Sequence, residues 1–267
     1  MSWMCIVPYA DDSELSTEAF LRQFRADWPK VRVASSFSRN DTVLSLEADG
    51  ATIMFAKMPV PIPDATIPPE RKTLFWPNVN EALARHQRHW IVTVVPGQNQ
   101  KPVDRARLLT KAVHSFFASH PAALGALWGG HGHPVSSDAL RQMATASFKA
   151  GEDPFEIWVE IQTGWLPEGP AGGKSAGFSR GLSDLDLMDL ETTCAYEQPS
   201  DLFDRIHGLA QYLITNGLVI RDGDTVGHDA NEKIRVIYAQ PKFGGEKKVM
   251  RLDYAPPFVP PSPQAGP

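Results

Sequence analysis

Residues 177–254 begin GFSRGLSDLDLMDLETTCAYEQPSDLFDRIHGLAQYLITNGL and end VIRDGDTVG…EKIRVIYAQPKFGGEKKVMRLDY, and their reading decides the fold class. One well-punctuated helix lies at the centre. Leu202, Ile206, Leu209 and Leu213 recur at helical spacing, and Phe203, Ala210 and Ile214 widen the same stripe. Ser200 is the expected N-cap, Asp201 and Asp204 put negative charge where the helix dipole favours it, and Asn216-Gly217 closes the helix. Strand signals surround it. Leu190–Tyr196 leads in, and Val219–Arg221 and Asp224–Val226 flank Asp222-Gly223, a favoured two-residue hairpin turn. Lys233–Ala239 and Lys247–Tyr254 follow, with Gly244-Gly245 available for the turn between them. The order is strand, helix, then antiparallel strands.

Working outward, the N-terminal segment has nearly the same order. Trp3–Tyr9 reads as a buried strand, and Ser16 caps a helix carrying Phe20, Leu21, Phe24 and Trp28 on one face. Val31–Ala34 is a short strand. Thr42–Lys57 is a hairpin around Asp49-Gly50, in a register that sets Leu46 opposite Ile53 and Leu44 opposite Phe55. Two units of similar topology, a pseudo-repeat of strand, helix, strand and hairpin, are therefore expected, sharing one sheet or packed together. Between them, Met58–Pro69 is a Pro-rich loop, and a helix is expected from Asn78 to Arg88. A buried strand follows at Trp90–Val95, then helices at Pro102–Ser119 and Ser137–Phe148 and a strand at Phe155–Trp165. The class is α+β, with mixed or antiparallel sheets and packed helices. The expected organisation is an N-terminal region over residues 1–165, a C-terminal domain over 176–254 and a disordered Pro-rich tail over 255–267.

The runs GFSRGL, the capped helix ending ITNGL, RDGDTVG, EKIRVIY and VMRLDY resemble the bacterial domain-of-unknown-function family 4261, over roughly the last third of the chain. These motifs are turn glycines, strand apolars and a capped helix, so the resemblance implies a fold neighbourhood and a bacterial origin. It brings no catalytic residues. It also implies a likeness to accessory or immunity-type partners of secretion systems.

The 267 residues are enough to bury a sizeable core, and 42% hydrophobic with 21% charged residues is ordinary for a soluble globular chain. A net charge of −5 argues against nucleic-acid binding driven by phosphate contacts. Cys5 and Cys194, each in an apolar strand, read as buried free thiols of a reducing compartment. The opening MSWMCIVPYADDSE has no basic segment or long apolar run, so no signal peptide is expected; no stretch reaches the ~20 apolar residues of a membrane span. A cytoplasmic location follows as the expectation.

Several segments imitate chemical sites. His131 and His133, in Gly129-Gly130-His131-Gly132-His133-Pro134, stand two apart in an extended segment, a spacing used to bind zinc or another divalent metal. A third ligand is needed, and no metal motif flanks them. Gly169–Ser175 imitates a phosphate loop one residue short, with no helical pattern after it. Gly177–Gly181 imitates the nucleophile elbow around Ser179, but no helix follows and no paired His–Asp is evident. Asp184, Asp186 and Asp189 alternate with leucines, the pattern of a half-exposed segment with carboxylates in water. Trp76, beside Pro77, is the tryptophan expected to be exposed for partner binding, the others filling the core. The expected function is therefore that of a non-catalytic protein-binding or accessory protein without nucleic-acid or membrane partners. The alternative is a metal-dependent hydrolase built on the His131/His133 loop.

Overall fold

The computed structural model describes residues 3–11, 13–40, 42–63, 73, 75–228 and 232–255. Much of the Pro-rich loop after Met58 and nearly all of the expected tail lie outside these residues. The chain divides into two units, one of Met1–Glu160 with Asp184–Asp186, the other of Ile161–Ser183 with Leu187–Pro267. Each has its own sheet, so of the two arrangements expected for the pseudo-repeat the shared sheet is not formed, and the α+β class holds.

The first unit runs β1 (Trp3–Tyr9), α1 (Thr17–Asp27), β2 (Ser38–Arg39), β3 (Val43–Ala48), β4 (Ala51–Met58), α2 (Val79–Ala84) and β5 (Arg88–Val95). It continues with α3 (Pro102–Ser119), β6 (Gly125–Trp128), β7 (His133–Ser136), α4 (Ser137–Ala150) and the single turn α5 (Phe155–Trp158). The sheet order is β2-β3-β4-β5-β1-β6-β7. Strand β1 is antiparallel to both β5 and β6, and β5 is antiparallel to β4. Hence β1 runs parallel to β4 across β5, and β5 runs parallel to β6 across β1. Helix α1 connects the first parallel pair and α3 the second. This interleaving of two split β-α-β units is the ferredoxin-like arrangement, here extended by the β2–β3 pair at one edge and β7 at the other.

The β3–β4 hairpin closes as its pattern dictates, with Leu44 opposite Phe55 and Leu46 opposite Ile53. Asp49 and Gly50 both take positive φ at the turn, as a two-residue loop requires. One face of the sheet carries Cys5, Val7, Tyr9 and Phe55 against α1 and α3. The Phe55 ring meets Phe20 edge-on at 5.1 Å and stacks on Phe116 at 6.0 Å. Tyr9 meets the same Phe116 ring edge-on.

The other face, where Ile6 and Leu127 point, is covered by Ile62, Trp76, Val79, Ala82 and Leu83. The expected exposure of Trp76 is thus overturned. It is 2% exposed, because the sheet's second face needs a large apolar cover and α2 is too short to supply it alone. Gly125 makes the room, since a Cβ there would lie 2.6 Å from the indole. The expected strand at Phe155–Trp165 is divided: its first residues coil into α5, which buries both Ile157 and Trp158 instead of alternating them.

The second unit holds β8 (Glu160–Trp165), the short turn α6 (Gly169–Gly172), β9 (Ser175–Arg180), β10 (Leu190–Ala195) and α7 (Pro199–Asn216). It ends with β11 (Thr225–Val226), β12 (Ile234–Ala239) and β13 (Val249–Asp253) in the order β11-β12-β13-β10-β9-β8. Strand β13 lies beside β10 and parallel to it. The element order β10-α7-β11-β12-β13 matches β1-α1-β2-β3-β4, with the last strand parallel to the first in both. The two differ in that β5 is inserted between β1 and β4.

The cap of helix α7 lies two residues before the expected Ser200. Gln198 is the cap and Pro199 takes the first helical position, where a missing N–H costs nothing. Gly217 ends it at φ 79°. The 219–226 stretch is not a hairpin: Thr225 pairs with Arg235 on β12, and the Asp222 carboxylate accepts the Tyr238 amide at 2.8 Å. Among the described residues, no helix is long and apolar enough to cross a membrane.

Replacing Phe55 by Ala removes the ring shared by Phe20 and Phe116. Urea unfolding of that variant is expected to show a loss of about 3–5 kcal/mol.

Candidate functional site

The residues singled out by sequence are mostly committed to structure. The His131 and His133 rings stack nearly parallel with centroids 6.1 Å apart. Each ring is drawn to its own partner. His131 Nδ1 faces the Asp184 carboxylate at 3.6 Å, and His133 Nε2 contacts the Glu156 carbonyl at 3.1 Å. Among the described residues, no group of three or more His, Cys, Asp or Glu could hold a metal. Both imidazoles anchor the 129–134 segment to its neighbours.

The three aspartates are not simply solvated. Asp184 accepts the Gly130 amide at 3.1 Å, Asp186 lies 3.4 Å from Arg105, and Asp189 accepts the Leu182 amide at 3.0 Å. Ser179 is buried, donates to Asp189 and accepts the Leu190 amide, so its hydroxyl is structural. Ser175 opens strand β9 and donates to the Glu197 carbonyl. The two cysteines are free thiols, Cys5 buried and Cys194 half-buried.

The site that does assemble lies in the first unit, where the end of α1 meets α3 and α4. A cleft of about 440 Å³ is lined by Trp28, Lys30, Lys111, His114, Thr145 and Phe148, with Asp27 and Lys149 also on its walls. Local geometry explains the convergence. Lys111, His114 and Ser115 stand at i, i+3 and i+4 of α3, and Arg141, Thr145 and Phe148 at i, i+4 and i+7 of α4, so each set shares one helix face. Trp28, at the C-cap of α1, donates from its indole to the Ser115 hydroxyl and the Lys111 carbonyl, both at 3.1 Å.

At the floor is a chain of polar groups. Asp27 Oδ1 accepts from Gln23 and Oδ2 accepts from Ser115, both at 2.7 Å. Asp27 Oδ2 also lies 3.3 Å from His114 Nδ1. The other ring nitrogen, Nε2, is 3.1 Å from the Thr145 hydroxyl. Trp28 packs edge-on against the imidazole at 5.0 Å and against Phe148 at 5.4 Å, which fixes the ring plane. The Lys111 ammonium rests 5.2 Å from the Phe148 ring and 5.9 Å from that of Trp28.

Burial sets the protonation. It holds the His114 imidazole below its ordinary value, against the pull of Asp27 and with the help of Arg141; it lowers Lys111 as well. His114 is thus a neutral ring at pH 7. Asp27 beside Nδ1 favours the tautomer with the proton on that nitrogen, which leaves Nε2 to accept the Thr145 hydroxyl.

Sequence reading passed over Asp27, His114 and Thr145. Ser115 and Asp27 are 88 residues apart, and no spacing rule joins them. The available signal was the polar group Lys111, His114 and Ser115 at i, i+3 and i+4 of the helix expected at Pro102–Ser119.

Fold and site together define a two-unit α+β protein, with a ferredoxin-like first unit that carries an aromatic-walled, cationic cleft. A family model described as "Domain of unknown function (DUF4261)" matches residues 178–253, which run from β9 to β13 in the second unit. No curated protein and no solved structure matches the chain.

Three buried imidazoles share the same electrostatics. His89, His114 and His120 are all held below the ordinary 6.5, chiefly by burial. His120 Nε2 accepts the Ser16 amide at 3.0 Å, a bond that requires the ring to be unprotonated. As pH falls through 6.5, the unfolded chain takes up protons that the folded chain refuses, so stability falls with it. Urea unfolding between pH 7 and 5.5 is expected to show this slope, and the His114→Gln/His120→Gln variant a flatter one.

Proposed function

We propose that the protein is a cytoplasmic binding or accessory protein whose partner is another protein and not a nucleic acid. The cleft of the first unit receives an acidic, partly apolar segment of that partner. One observation carries this reading. The chain has a net charge of −5, yet the cleft walls hold three lysines, Lys30, Lys111 and Lys149, against one aspartate. That aspartate is saturated by Gln23, Ser115 and His114, which leaves the lysines as the charge a ligand meets.

The Trp28 and Phe148 rings suit the apolar part of such a segment, and aromatic side chains in a concave site are the usual anchors of protein recognition. A Glu or Asp next to Leu or Phe satisfies both requirements: the carboxylate meets the lysines and the neighbouring side chain meets the rings. Screening by salt then weakens the contact.

The test is fluorescence anisotropy of labelled peptides that carry acidic-apolar, basic-apolar or neutral-apolar pairs, at low and high salt. The acidic set is expected to bind selectively and to weaken with salt. Lys111→Met is expected to cost about tenfold in affinity, or ~1.4 kcal/mol. Equal binding of acidic and basic peptides, or no effect of Lys111→Met, would rule out the reading.

A further inference from the structure

We propose that Thr145, His114 and Asp27 form a hydroxyl–imidazole–carboxylate relay that makes Thr145 a nucleophile toward activated acyl esters. This goes beyond binding and does not rest on the peptide reading. The order of groups is that of a nucleophile, its general base and the carboxylate orienting the base, a constellation known by geometry and not by sequence order. Thr145 Oγ1 lies 3.1 Å from His114 Nε2, and His114 Nδ1 lies 3.3 Å from Asp27 Oδ2.

The ends of the relay differ as the chemistry requires. His114 is 5% exposed and Trp28 packs against it, so the base is held in one orientation. Thr145 is exposed on the wall of the cleft, where a substrate can reach it. A threonine inside a helix ordinarily turns its hydroxyl to the carbonyl four residues back, as Thr110 does to Ala106 and Thr215 to Gln211. Thr145 turns instead to the imidazole. The neutral ring is in the form that can accept a proton, and Lys111 lines the same cleft as a cation.

In the reaction, the Thr145 oxygen bonds to the acyl carbon while its proton passes to His114 Nε2. The bond from that carbon to the alkoxide or thiolate breaks, and the leaving group takes the proton from Nε2. Water then attacks the acyl carbon with proton transfer to the same nitrogen. The bond from that carbon to the Thr145 oxygen breaks and the oxygen takes the proton back from Nε2, leaving the carboxylic acid and the free hydroxyl of Thr145. The ring keeps its Nδ1 proton throughout, facing the Asp27 carboxylate. The groups facing the ring from the packed helices are Asp27 on α1, Lys111 on α3 and Arg141 on α4, with Arg141 and burial opposing protonation.

The experiment treats the full chain with a fluorophosphonate, whose P–F bond is exchanged for a bond to the attacking oxygen, and maps the adduct by peptide mass. Hydrolysis of p-nitrophenyl acetate is followed in parallel. The adduct is expected on Thr145, with hydrolysis rising with pH to a plateau around a midpoint below 6.5. Thr145→Val, which keeps shape and loses the hydroxyl, is expected to lose about 10²–10³-fold in rate, whereas Thr145→Ser retains both adduct and turnover. Absence of the adduct from Thr145 in the folded protein, or equal hydrolysis by Thr145→Val, would overturn the proposal. Peptide binding by Thr145→Val is a separate readout, so failure of the relay and failure of the binding reading are told apart.

Discussion

Helix α3 is buried on nearly every side, and each polar group it carries inward must find a partner in the protein. Thr110 is fully buried; it donates to the Ala106 carbonyl and accepts the Trp158 indole at 2.8 Å. Ser115, also fully buried, bridges Trp28 and Asp27. His114 takes Asp27 on one side and Thr145 on the other. These bonds fix where α1 ends against α3 and how α4 lies beside it. The cleft is a product of that pairing: the groups needed to bury α3 on a second face are the groups that line the site.

The second unit meets the same constraint with charge. Arg205, a nearly buried side chain, is held by Glu197 at 3.0 Å and Glu232 at 2.7 Å, and Tyr254 donates to Glu197. Glu191, 1% exposed, accepts from Arg251 and from the Lys242 amide. Removing one member of such a set strands the other, which costs far more than the pair contributes when intact. The residues matched by the family model belong to this framework of turn glycines, paired charges and strand apolars. The cleft, with its chemistry, lies in the first unit, outside the match.

The parts legible in the sequence were those whose signals are local. The Thr42–Lys57 hairpin declared its register because alternation and turn agreed, and α7 declared its apolar stripe and its closing Gly217. The ferredoxin-like order was hidden, because it depends on β5 entering between β1 and β4, and no periodicity in Arg88–Val95 states its neighbours. Trp76 was misjudged for a related reason: the bare sheet face that buries it belongs to strands far away in the chain. Phe155–Trp158 alternates like a strand, but packing of Ile157 and Trp158 together overrode the pattern.

The contrast between the two histidine sites shows why spacing alone misleads. His131 and His133 have the separation of metal ligands, yet each is pulled to a different group, Asp184 or the Glu156 carbonyl, and the rings are left parallel. His114 has no neighbour in sequence that suggests chemistry. Its environment nonetheless supplies a carboxylate on one nitrogen, a hydroxyl on the other, a tryptophan edge that fixes the ring, and enough burial to keep it neutral. At neutral pH the imidazole therefore adds no charge to the positive field of the cleft. The imidazole is free to act as a proton acceptor in the midst of cations, a combination that a solvated histidine on a flexible loop cannot provide.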